Sequence, residues 1–364
     1  MKRFVCVLLC ALLCSGSCAA ALGAPDTSAA SAILIDANSG RVLYEHNANE
    51  KRYIASITKL MTALVAMESG HTLDETVKIK REYTGAEGSS MYLIEGETLT
   101  LEALMYSLLL ASGNDAALAV AGFCGGTVRD FVARMNRRAA QLGMENTHFL
   151  NPSGLTEQGH MSTAADMARL AAACMNEPAI AKIVATRSIS IAGRSFTNHN
   201  KLLSRYEGCV GMKTGYTEKA GRTLISCAQR GDMRLIVVTL DDGNDWADHT
   251  ALFDFGFATY KNTTLAEAGQ VFTRIPVEGS LTSLVDVAYG YSVCYPVRQG
   301  EQLRQEVSLV SQPEVPVQRG ATAGTVNWYL GDRLVALCPL VYAQSAQRYT
   351  VRAGWLERLQ AMFN

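Results

Sequence analysis

Charge is scarce in this chain, and clustered ligands are scarcer. Of its 364 residues only 18% are charged, with no long basic block and a formal net charge of −1. That removes the electrostatic footprint by which proteins hold a nucleic-acid backbone. None of the ten cysteines forms a Cys-x-x-Cys, and the six histidines (46, 71, 148, 160, 199 and 249) are scattered, so no zinc-ligand spacing is present. The apolar stretch from Phe4 to Leu13 is too short to cross a bilayer as a stable helix. What the chain does have is a 48% hydrophobic share, which fits a folded protein and argues against disorder, and enough length for two domains.

The first residues read as a secretory signal over 1–24. Lys2-Arg3 precede the apolar stretch, and Ala19-Ala20-Ala21 to Ala24 offers an Ala-x-Ala-like cleavage region. Cys14 and Cys18 make lipidation the rival, but Ser-Gly-Ser before Cys18 lacks the leucine of a lipobox, so cleavage ranks first. Six cysteines then remain (124, 174, 209, 227, 294 and 338), an even count that permits disulfides outside the cytoplasm and is equally compatible with buried free thiols.

The chain is organised around Ala55-Ser56-Ile57-Thr58-Lys59, which enters an apolar run from Leu60 to Met67 that stops at Gly70. Apolar residues occur almost all round this run, which predicts a helix buried in a domain. Residues three apart share a helix face, so the Lys59 amine can reach the Ser56 hydroxyl and, if desolvation lowers its pKa, take its proton. Alone, Ser-x-x-Lys also fits a capping serine and a snorkelling lysine. Two further fragments change the weighing: Ser112-Gly113-Asn114, 56 residues beyond Ser56, and Lys213-Thr214-Gly215, 101 residues beyond Ser112. In this order they reproduce the motif set of class A β-lactamases and penicillin-binding proteins.

The chain therefore resembles the penicillin-interacting serine enzymes. The segments Ala55 to Ala63, Leu109 to Ala117, Asn151 to Leu155, Ser162 to Ala168 and Gly211 to Gly221 narrow the resemblance to the low-molecular-mass D-alanyl-D-alanine carboxypeptidases, over about residues 30 to 260. The resemblance implies that Ser56 attacks the terminal D-Ala-D-Ala carbonyl of a peptidoglycan stem peptide and that Lys59 is its general base. It implies that Ser112 relays a proton to the leaving amine and that Asn114 bonds the substrate amide. Lys213 and Thr214 would hold the terminal carboxylate, Gly215 would admit the ligand close to the backbone, and the N–H groups of Ser56 and Tyr216 would form the oxyanion hole. β-Lactams follow as covalent inhibitors, and no metal or organic cofactor is implied. The chain departs from the family pattern at Ile54, where proline is common, and at Gly208-Cys209-Val210-Gly211, which lacks an aspartate.

The expected fold class is α/β (α+β). Strands at Ala32 to Asp36 and Arg41 to Glu45 join across Asn38-Ser39-Gly40, and helices follow at Leu101 to Ala111, Asp115 to Cys124, Val128 to Leu142 and Thr163 to Met175. That arrangement puts Ser112 and Asn114 in a loop between helices. Strands return at Arg187 to Ile191, Arg194 to Thr197, Gly208 to Thr214, Thr223 to Ala228 and Leu235 to Leu240, so a helical subdomain is cradled by an antiparallel sheet. Asn244 to His249 opens a last helix whose acids suit its dipole better than they suit a metal site. The catalytic domain is placed at 25–262 and a small all-β domain at 263–346, with runs at Gln270 to Pro276, Leu284 to Val297, Glu306 to Val310, Gly324 to Tyr329 and Arg333 to Val341. Residues 347–364 read as an amphipathic helix with Trp355, Leu356, Leu359, Met362 and Phe363 on one face. This suits a protein secreted across the cytoplasmic membrane and peripheral on its outer face.

Three other readings are weighed against this one. A β-lactamase would usually carry Glu-x-x-x-Asn between the second and third motifs, and no such segment lies between Ser112 and Lys213. A D,D-endopeptidase shares the same chemistry. An idle wall-binding or antibiotic-sensing protein is disfavoured by the intact Ser56, Lys59, Ser112 and Lys213.

Overall fold

The computed structural model describes residues 5–8, 23–280 and 283–348. Residues 23–260 belong to one compact unit, and residues 5–8, 261–280 and 283–348 to the other.

The first unit is built on an antiparallel sheet. Strands β1 (Ser31–Asp36) and β2 (Val42–His46) form the expected hairpin, and the chain then turns through Ala55–Thr58 into helix α1 (Lys59–Met67). Helices α2 (Leu101–Tyr106), α3 (Asn114–Gly125), α4 (Val128–Gln141), α5 (Ala164–Met175) and α6 (Pro178–Ala185) follow. Their starts are written locally: the hydroxyls of Thr100, Thr127 and Thr163 accept from the N–H three residues on, and Pro178 occupies the first turn of α6. Strands β3 (Cys209–Gly211), β4 (Thr214–Thr217), β5 (Gly221–Arg230) and β6 (Met233–Leu240) complete the sheet before helix α7 (Asp245–Thr259). The order is β3-β5-β6-β1-β2, with β4 also pairing β5. β1 is buried at every residue because both of its faces are covered. Ile33 and Ile35 join the core under the helical subdomain, while Leu34 joins the core beneath α7.

Three elements differ from expectation. Leu101 to Ala111 is not one α-helix: it widens into a π-turn over Ser107–Ala111. Gly208 to Thr214 breaks into β3 and β4, because Gly211 and Met212 take φ values of 99° and 100° and interrupt the extended path. Asn114 is the first residue of α3, not part of a loop. His249 of α7 turns inward to Thr239 Oγ1 at 3.0 Å, and its neighbour Asp248 accepts from the N–H and the hydroxyl of Ser28.

The second unit is an antiparallel six-stranded sheet in the order Val5–Leu8, Leu303–Leu309, Thr322–Leu330, Arg333–Tyr342, Leu284–Tyr289 and Val271–Pro276. Its core holds Val285, Val287, Val326, Trp328 and Leu340. The expected single run Leu284 to Val297 is two strands, ending at Tyr289 and resuming at Val293. The terminal amphipathic helix lies outside the described residues from Tyr349 onward, as does most of the leader. Cys124, Cys174, Cys209, Cys227, Cys294 and Cys338 are free thiols. Among the described residues no single helix is long and apolar enough to cross a membrane.

Candidate active site

Ser56 sits in the 3-10 turn that precedes α1. Its neighbour Ala55 has φ 48°, a left-handed conformation that costs a non-glycine residue free energy and has to be held by its surroundings. Gly154 does part of the holding: a Cβ there would lie 1.9 Å from the Ala55 carbonyl oxygen, so only glycine lets the two backbones approach so closely. The Thr223 hydroxyl donates to Ile54 O at 3.1 Å and ties the turn to β5.

Lys59 is fully buried, and its Nζ lies 3.0 Å from Ser56 Oγ, 2.7 Å from Asn114 Oδ1 and 2.6 Å from Ser153 O. Burial holds the amine well below the ordinary lysine pKa; the charge of Lys213 pushes the same way and that of Asp115 opposes it. A neutral amine has two N–H groups and one lone pair. The Asn114 amide is oriented by its Nδ2 donating to Glu87 O at 2.6 Å, so Oδ1 can only accept, as can Ser153 O. These two acceptors take both N–H groups. When the amine is neutral, its lone pair is left for the Ser56 hydroxyl, which can then donate to the amine that is to remove its proton.

Ser112 closes the π-turn in the left-handed region (φ 62°, ψ 30°), two residues before the side chain that touches Lys59. A Cβ on Gly113 would meet Ser107 Oγ at 2.5 Å, so a larger residue would have to displace that hydroxyl. Ser112 and Asn114 are both buried.

Lys213 and Ile225 exchange both backbone hydrogen bonds, at 3.1 and 2.9 Å. The register then runs without a shift through Thr214↔Leu224, Gly215↔Thr223, Tyr216↔Arg222 and Thr217↔Gly221. Antiparallel alternation therefore gives the next ladder bonds to Gly215 and Thr217 and leaves the N–H groups of Thr214 and Tyr216 pointing away from β5. A Cβ on Gly215 would lie 2.8 Å from Ser56 N, so this strand runs directly against the nucleophile's turn. Lys213 is buried and donates to Thr214 O at 2.7 Å, and burial lowers its pKa to about 7.

The residues of all three motifs thus meet in one place. The family model for D-alanyl-D-alanine carboxypeptidases matches residues 19–244, and that for the C-terminal domain of penicillin-binding protein 5 matches residues 260–348. The chain belongs to the D-alanyl-D-alanine carboxypeptidase family. It is 32% identical to D-alanyl-D-alanine carboxypeptidase DacF of Bacillus subtilis, over 91% of this chain and 88% of that one. It is also 32% identical to DacA of Escherichia coli, over 94% and 89% respectively. The solved penicillin-binding protein 5 of Haemophilus influenzae superposes with a TM-score of 0.78 at 27% identity, covering 90% of this chain and all of that one.

In this member of the carboxypeptidase family, several residues support the site in roles that their residue type does not announce. Ser153 contributes a carbonyl, which any residue type could supply. His160 lies behind the nucleophile's turn. Leu150 N–H donates to its Nδ1 at 3.1 Å, so Nε2 carries the hydrogen and donates to Thr58 Oγ1 at 2.8 Å. Burial lowers its pKa to about 4, so it stays neutral. Asp115 accepts from Ser90 Oγ at 2.5 Å and from the N–H groups of Met91 and Leu93 at 3.0 Å each. It thereby clasps a loop to the start of α3.

Proposed function

We propose that this protein is a serine-type D-alanyl-D-alanine carboxypeptidase of cell-wall metabolism that removes the terminal D-alanine of peptidoglycan stem peptides. One observation carries the reading: a fully buried lysine amine lies 3.0 Å from a serine hydroxyl, with two acceptors at 2.7 and 2.6 Å placed to take its N–H groups. In the proposed reaction Lys59 takes the Ser56 proton as Oγ attacks the carbonyl between the two D-alanines. The N–H groups of Ser56 and Tyr216 hold the oxyanion. The C–N bond breaks as a proton passes through Ser112 to the leaving D-alanine amine. Asn114 steadies the substrate amide, and Lys213 with Thr214 takes the terminal carboxylate beside Gly215, which selects a free C-terminus. Water then hydrolyses the ester on Ser56. A β-lactam imitates the same dipeptide and meets the same nucleophile.

Residues 1–24 are read as a leader that takes the protein across the cytoplasmic membrane; cleavage there also removes the edge strand Val5–Leu8. Residues 347–364 are read as an interfacial helix holding the enzyme on the membrane's outer face. The apolar side of Trp355, Leu356, Leu359, Met362 and Phe363, with Arg352 and Arg358 nearby, supports this.

Mass spectrometry after incubation with diacetyl-lysyl-D-Ala-D-Ala, and separately with penicillin, tests the catalytic reading. Release of one D-alanine and a penicillin adduct on Ser56 are expected. An adduct on another residue overturns it.

A further inference from the structure

The loop beside the second motif breaks the rule of alternation in an informative way. Met91, Tyr92, Leu93 and Ile94 are all apolar and alternate buried, exposed, buried, exposed. Met91 and Leu93 enter the core at 4% and 6% exposure, whereas Tyr92 and Ile94 stand in solvent at 82% and 67%. An outward face of this kind ordinarily carries polar residues, and an exposed large apolar pair is the unusual observation. Its placement is not random. Among the described residues of the catalytic unit, the large hydrophobics that stand exposed are Val42, Tyr92, Ile94 and Tyr216, and Tyr216 directly follows Lys-Thr-Gly.

The pair is also held in place by dedicated contacts. Tyr92 has φ 60°, a conformation rare and costly for a bulky residue. Bonds on both sides enforce it: Tyr92 N–H donates to Ser90 Oγ at 2.9 Å, the flanking N–H groups of Met91 and Leu93 donate to Asp115, and Arg194 Nε donates to Met91 O at 3.1 Å. Arg194 is itself fixed by Glu97, at 2.9 and 3.0 Å. The same loop supplies Glu87 O and Ser89 O to the side chain and backbone of Asn114, at 2.6 and 2.7 Å. One continuous network therefore runs from Lys59 through Asn114 to the backbone that presents Tyr92.

We infer that Tyr92 and Ile94 form a specificity platform that contacts the substrate's stem peptide on the amino side of the scissile bond. The inference rests on the carboxypeptidase reading and adds a binding surface to it. Reach favours the peptide over a more distant part of the polymer. Tyr92 is three residues from Ser89, whose carbonyl touches Asn114, and three extended residues span at most about 10 Å, the length of about three residues of an extended peptide. An aromatic ring beside a branched aliphatic side chain suits the methylene-rich side chain of a diamino acid in that peptide. A rigid mount lets such a contact form with little ordering cost.

The test compares Tyr92→Asn and the Tyr92→Asn/Ile94→Thr double variant with wild type. Asparagine tolerates the left-handed conformation, so the loop keeps its path. Three substrates are used: acetyl-D-Ala-D-Ala, the free pentapeptide ending in D-Ala-D-Ala, and the same pentapeptide on its disaccharide. The expected result is a tenfold or greater loss of kcat/KM for the pentapeptide, the same loss with the disaccharide attached, and less than a twofold change for the short substrate. Tyr92→Phe should keep wild-type preference. Equal losses on all three substrates would make the loop merely structural, and a loss confined to the disaccharide form would move the contact to the glycan; either overturns the inference. If wild type turns over none of the three, the carboxypeptidase reading itself has failed.

Discussion

Lys59 shows how much of this site depends on counting protons at a single atom. A charged amine buried without a carboxylate partner costs several kcal/mol, and that cost pushes Lys59 toward its neutral form. Its two carbonyl acceptors then set which way the Ser56 hydrogen bond runs. Ser56→Ala should lose the penicillin adduct and the release of D-alanine together, as read by mass spectrometry. Lys213→Ala should lower turnover by on the order of a hundredfold or more, the usual effect of removing a transition-state charge stabiliser. The same variant makes a second, signed prediction. Penicillin acylation should fall as pH drops and Lys59 gains its proton. Because Lys213 helps to depress the Lys59 pKa, its removal should move that acid limb to higher pH. An unmoved or lowered limb in stopped-flow acylation would count against the electrostatic coupling.

Glycines govern how the elements that carry these residues fit together. A Cβ on Gly215 would meet Thr223 Oγ1 at 2.5 Å and Ser56 N at 2.8 Å, so β4 would have to withdraw from the nucleophile's turn. Gly215→Ala should therefore slow penicillin acylation tenfold or more, about 1.4 kcal/mol of barrier, while circular dichroism shows the fold retained. Near-wild-type acylation would mean that the strand's close approach is not needed. The motif segments were legible as elements because their apolar periodicity and glycine stops are local. The π-turn at Ser107–Ala111 and the break at Gly211 and Met212 were not, because both arise where packing against other elements overrides a helix or strand pattern continuous in the sequence.

At the scale of the whole molecule, burial of neutral histidines makes stability depend on pH. His160 and His249 are lowered to about 4 and about 3, both first by burial. The unfolded chain binds these protons near pH 6.5 and the native state does not. Their stabilisation is thus complete above about pH 6.5 and drains away as pH falls toward 4 and 3; for His160 it amounts to about 3 kcal/mol. The melting temperature should fall steeply across that window, and His160→Gln should flatten the fall; an unchanged slope would show that His160 does not titrate with unfolding. Truncation probes the opposite end of the chain. A protein ending at Tyr349 should keep carboxypeptidase activity while leaving the membrane fraction, and identical fractionation of truncated and full-length proteins would remove the anchor proposal.

By itself the sequence determined the family, the α+β class, the antiparallel hairpin of β1 and β2, and the three motifs with their order. These depend on residue identity and on short-range periodicity, both of which are written along the chain. Only the tertiary structure decided what surrounds the reacting atoms. Ser153 lies 94 residues from Lys59 and acts through a carbonyl, and His160 lies 102 residues from Thr58. Asp115 acts by clasping Ser90, Met91 and Leu93, 22 to 25 residues before it. A backbone carbonyl has no residue signature, and a buried histidine or aspartate reads in sequence like any other. Their roles exist only once long-range packing has excluded water and left each donor one acceptor to find.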